Sequence, residues 1–60
     1  MKTFELAKKD VLQVAESIGI TLSNEQVFEV IDEYPAWAEN DPTGTWDIIV
    51  EDIIYFVINQ

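Results

Sequence analysis

The sequence contains no cysteine, no histidine and no arginine. Without cysteine there are no disulfides and no thiolate metal sites. Without histidine there is no imidazole ligand and no general base for Ser17 or Ser23. Only two glycines are present, so there is no glycine-rich phosphate loop. No apolar run approaches the roughly 18 residues of a membrane span. The longest, residues 53–58, has six members. The first residues, Met1-Lys2-Thr3-Phe4-Glu5, lack the apolar stretch of a signal peptide, so the expected compartment is the cytoplasm.

Positive charge is scarce as well. The three basic residues are Lys2, Lys8 and Lys9, against twelve carboxylates, for a net charge of −9. From Asp10 onward no cation offsets the acids. Such a surface repels nucleic acid, attracts basic partners and strains its own compactness. The native state is therefore expected to gain from added salt and from mildly acidic pH.

What is present is a core. The chain is 48% hydrophobic and 12% aromatic, which argues against disorder. Sixty residues make one small domain, residues 1–60. A chain of this size buries only about 60% of its unfolded surface. A stability of about 3–5 kcal/mol follows unless something reinforces it. Self-association is the reinforcement left open.

Phe4, Ala7, Val11, Val14 and Ile18 recur at steps of three and four, which predicts a helix over 4–18. Thr3 is its expected N-cap, and Gly19 its C-terminal stop. Ser23 followed three residues later by Gln26 is a capping box, with Leu22 and Val27 placed as a hydrophobic staple. Val27, Val30, Ile31 and Tyr34 give the second helix its apolar stripe. Pro35 disfavours helical geometry at Tyr34, so that helix is expected to end or kink there. Residues 35–40 read as a separate helical turn with proline first. Asp41-Pro42-Thr43-Gly44 reads as a turn, and Thr45 as the N-cap of a last helix with Asp47 in its first turn. Trp46, Ile49, Val50, Ile53, Phe56 and Val57 fall on one helical face. The competing reading makes 53–58 a β-strand, because it is rich in β-branched and aromatic residues. The fold expected is an all-α three-helix bundle; the alternative is an α+β fold with that C-terminal strand.

The available chemistry is thin. Paired carboxylates suit glycoside hydrolysis only in a cleft that raises one pKa, and three short helices offer little cleft. Glu39, Asp41, Thr43 and Asp47 surround Gly44, which stands sixth from Glu39 as in an EF-hand loop. The twelfth position, however, is Val50 where a bidentate Glu is needed. No catalytic residue, metal or cofactor is assigned. The helix, glycine turn and capped helix are similar in outline to the ubiquitin-associated domain. Ser17-Ile18-Gly19-Ile20 lacks that family's Met and aromatic residue, and 34–45 is too long for it. Acyl carrier proteins are also small, acidic and helical, but Ser23 lies between Leu22 and Asn24, outside their Asp-Ser-Leu motif.

Binding surfaces remain. Glu25, Glu29, Asp32 and Glu33 form an acidic stripe on the second helix, joined by Glu51 and Asp52 on the third. Ile48 and Tyr55 lie opposite the third helix's core face, where an apolar patch rimmed by acids marks an interface. Trp37 is the third candidate, as tryptophan is enriched at binding hot spots. The function expected is a non-enzymatic acidic interaction module for a basic protein surface. Its target would include nucleic-acid-binding proteins whose site it occupies as a DNA mimic. Small acidic inhibitors of phage and mobile elements share this profile, an analogy of class alone. Direct nucleic-acid and membrane binding are not expected. The alternative is a subunit or homodimer joined through the apolar face of the last helix.

Overall fold

The computed structural model describes residues 6–41 and 43–60. Three α-helices follow in order: α1, Lys8–Ser17; α2, Asn24–Asn40; and α3, Trp46–Ile58. Among the described residues there is no strand, and no helix is long and apolar enough to cross a membrane. The fold is an all-α three-helix bundle. Residues 53–58 belong to α3, which overturns the strand alternative. Their side chains follow the helical period, with Ile49, Val50, Ile53, Ile54 and Val57 all buried. A strand would instead bury every second residue.

Local rules set most helix ends. The expected start of α1 at residue 4 is corrected to Lys8, with Ala7 extended as its N-cap. The Asp10 carboxylate accepts the Ala7 N–H at 3.1 Å, which fixes the chain at that point. Thr3, Phe4 and Glu5 lie outside the described residues. At the other end Gly19 has φ +73°, and the Ile20 N–H reaches the Ala15 carbonyl at 2.9 Å. The Gly19 N–H bonds to Glu16, completing a Schellman stop. The capping box of α2 forms in both directions. Ser23 Oγ accepts from the Gln26 N–H at 3.2 Å, and Gln26 Oε1 accepts from the Ser23 N–H at 2.9 Å. Such a cap contributes about 1 kcal/mol.

The expected break at Pro35 does not occur. Pro35 lies inside α2, which continues to Asn40, so the separate turn at 35–40 is the helix's own last part. An interior proline removes one backbone bond and crowds the carbonyl four residues before it, at a cost of about 3 kcal/mol. Contacts on either side of it offset that cost. Trp37 Nε1 donates to Glu33 Oε1 at 3.2 Å, bridging the turn that contains the proline. Trp37 and Ala38 both pack against the core. Asn40 Nδ2 then donates to the Ala36 carbonyl.

The link to α3 is the expected turn, closed by the Gly44 N–H on the Asp41 carbonyl at 3.2 Å. A Cβ at Gly44 would come within 2.5 Å of the Asp41 carboxylate, so the turn is tight on that side. Thr45 is the N-cap of α3 by position, but its side chain does not bond to the helix backbone. Its hydroxyl bonds to Asp47 instead. That bond is the main cause that holds the Asp47 carboxyl below its ordinary range; desolvation opposes it, and backbone N–H groups at Ile48 and Asp47 reinforce it. The stabilisation is present above the unfolded value of 3.8 and is lost as pH falls through the folded pKa. Asp47→Asn should therefore flatten the loss of melting temperature on acidification below about pH 4. Thermal melts at stepped acid pH check this, and an acid limb as steep as the parent's would contradict it.

The core is one cluster: Val11, Val14 and Ala15 from α1, Val27 and Val30 from α2, and five residues of α3. The widest helix contact is between α2 and α3. The buried face of α3 is turned slightly from the expected one. Ile54, expected at the margin, is 0% exposed, while Phe56, expected in the core, is 44% exposed. Trp37 of α2 occupies the flank where Phe56 lies, and their rings meet at 5.6 Å in a tilted pair.

Candidate functional site

The outward face of α2 carries the acidic stripe, and the tertiary structure divides it. Glu29 and Glu33 have hydrogen-bond partners within the chain. Glu29 Oε2 accepts from Gln60 Nε2 at 2.8 Å, and Glu33 is the acceptor for Trp37. Glu25 and Asp32 are exposed. Between them stands Phe28, 58% exposed, three residues after Glu25 and four before Asp32. Glu25, Phe28, Glu29, Ile31 and Asp32 together line an open depression of about 540 Å³. Its floor is mostly apolar and its rim is three carboxylates. A carboxylate has about four acceptor positions, so Glu29 keeps capacity beside its Gln60 bond.

A cation of the chain itself lies near the Phe28 ring, outside the lining of the depression. The Lys8 ammonium of α1 sits 5.7 Å from the centre of the Phe28 ring. A cation at that range is attracted by the ring's negative face. The depression thus combines a π face, a little apolar floor and surrounding negative charge. It can hold alkylammonium or guanidinium groups with their apolar stems.

The sequence-predicted residues are only partly brought together. Glu25, Glu29 and Asp32 converge. Glu33 borders the site but is turned toward Trp37. Asp52 stands one helical turn before Phe56, on the flank that meets Trp37. Glu51, half-buried, lies on the other side of the Ile48–Tyr55 row. Trp37, expected in a separate helical turn, is half-buried on α2 and does not join Ile48 and Tyr55. Those two are 56% and 43% exposed on the outer face of α3, where they were expected. Phe28 and Lys8 were not singled out from the sequence. The available signal was Phe28's place outside the apolar stripe, within helical reach of two acids.

A second depression, about 410 Å³, lies where α1 turns into the linker. Leu12, Ala15, Ile20 and Leu22 line it, with Glu16 and Thr21 as its polar side chains. Among the described residues no three acidic side chains converge as a metal site. Around Gly44, Asp41 serves the turn and Asp47 bonds to Thr45.

Comparison with known proteins found no match: no family model, curated protein or solved structure is detectably similar to the chain.

Proposed function

We propose that this chain is a non-enzymatic interaction module that binds a basic protein surface through the outer face of α2. The observation that carries the reading is the Lys8 ammonium over an exposed Phe28 ring rimmed by Glu25, Glu29 and Asp32. The chain's own lysine displays the chemistry that the face accepts. Each exposed ion pair with a partner contributes about 0.2–1 kcal/mol, and the ring about 0.5–1 kcal/mol more. Several together give useful affinity, with a fast, salt-sensitive association. Proteins that grip nucleic-acid phosphates present such cationic surfaces, so occupying their site as a DNA mimic is the finer form of this function. A cytoplasmic setting, and origin in a phage or mobile element, belong to the same proposal.

Titration of a Lys/Arg-rich peptide by calorimetry tests the site. The triple variant E25Q/E29Q/D32N should lose on the order of tenfold in affinity. A control with equal charge loss elsewhere, E16Q/E39Q/D52N, should lose clearly less. Equal losses in the two would show that net charge alone attracts the peptide, and the site would be abandoned.

A second reading rests on Ile48, Tyr55 and Phe56, exposed along α3. There the chain is a subunit, or one half of a homodimer, that buries this face. Salt separates the two readings, because apolar association survives high ionic strength and charge-led binding does not.

A further inference from the structure

Four of the six large apolar side chains exposed among the described residues lie on α3: Ile48, Tyr55, Phe56 and Ile58. Folding does not account for them, because Ile49, Val50, Ile53, Ile54 and Val57 already form the buried face of that helix. An apolar patch left outside marks an interface. At about 100° per residue, Asp52 falls between the Ile48–Tyr55 row and Phe56. It is four residues from Ile48, three from Tyr55 and four from Phe56, the spacings at which helical side chains are neighbours. Asp52 is exposed and has no hydrogen bond or ion pair with the described residues. One carboxylate thus stands among three apolar side chains, two of them aromatic.

We propose that the outer face of α3 docks an amphipathic helix of another protein, with an arginine or lysine in the middle of its apolar seam. This rests on the second reading above, in which α3 presents an interface, and narrows it to a cationic partner. Ile48 and Tyr55 are seven residues apart, a heptad step that a second helix matches along its length. The partner's apolar residues cover that row and Phe56, and its cation meets Asp52. An arginine or lysine stem packs along apolar surface while its charged head stays with the carboxylate. A second copy of this chain fits poorly. Twofold pairing of the row, parallel or antiparallel, sets Asp52 beside the Asp52 of the other copy. Two carboxylates would then leave water side by side, and from Asp10 to Gln60 the chain has no cation to offset them. A segment of basic residues alone fits poorly too, because it leaves the apolar row uncovered.

The test is selection on the full chain from a display library of alanine-rich helical peptides. Each is about 20 residues long, so that it holds a helix, and is randomised in its seam and at outer positions. Selected peptides should carry large apolar residues a heptad apart with arginine or lysine between them. That cation should be enriched about tenfold over the outer positions, as a charge-assisted hydrogen bond implies. Selection on D52K should replace it by aspartate or glutamate, and selection on I48S/Y55S should yield no apolar seam. These substitutions fall on exposed residues, and circular dichroism checks that the variants fold. Basic residues enriched evenly over seam and outer positions would mean attraction by net charge alone and would overturn the proposal. A seam without a cation, the same on the parent and D52K, would also overturn it but leave the α3 interface standing. Sedimentation of the free chain is the second measurement. A dimer that I48S/Y55S dissolves would put a second copy on the face and overturn the cationic partner. A monomeric chain that selects no seam would sink both the proposal and the reading beneath it.

Discussion

Ile54→Ala should leave the chain only marginally folded at room temperature, while Ile48→Ala should melt within a few degrees of the parent. The two side chains are the same and stand on the same helix. Ile54 is 0% exposed in the core cluster, and Ile48 is 56% exposed on the outer face. Truncating a buried isoleucine to alanine costs about 2–5 kcal/mol, from lost burial and the cavity left behind. The whole domain holds only about 3–5 kcal/mol, so one such cavity removes most of it. A surface substitution stays within about 0.5 kcal/mol. Helical circular dichroism against temperature reads both variants. Cooperative melting of I54A near the parent's temperature would show that α3 is not packed on this face. A large loss in I48A would show that its outer face is covered, as the subunit reading requires.

Sodium chloride should stabilise the fold. Raising it from about 20 to about 500 mM should lift the melting temperature by about 5–10 °C. On the helices, Glu25/Glu29, Glu29/Asp32, Glu29/Glu33 and Asp47/Glu51 are like-charge neighbours three or four residues apart. Each such pair costs about 0.2–0.5 kcal/mol, or about 1–2 kcal/mol together. At high salt the screening length falls below the spacing of these side chains, so most of that cost is relieved. For a domain of this size, about 1 kcal/mol moves the midpoint by about 4–8 °C. Chloride is the suitable salt, because sulfate would add a stabilisation unrelated to charge. A midpoint that fell with chloride would mean that favourable charge contacts outweigh the repulsion, and the acidic face would then be part of the fold's support.

Much of the fold is legible in the sequence because short-range rules write it. The Ser23–Gln26 box, the stop at Gly19, the turn closed on Asp41 and the cap position of Thr45 each involve residues at most five apart. The periodicity of α3 likewise needs only its own residues, and Ile48 and Tyr55 fell outward as that period required. Of the candidate site, the three carboxylates were legible as a stripe on one helix. Their use was not, since a stripe does not say which neighbour each acid meets.

The tertiary structure decided the rest. Pro35 reads as a helix end because its local cost is real, and the helix continues through it where Trp37, held by Glu33, Phe56 and the core, and Ala38 pack beyond it. The same tryptophan meets Phe56, which is exposed where Ile54 is buried. Lys8 comes near Phe28 only because α1 packs beside α2. The composition and local spacing of this chain thus determined three capped, amphipathic helices with an acidic exterior. Which side chains meet across helices was set by packing between residues about twenty apart in sequence, a relation that no local rule contains.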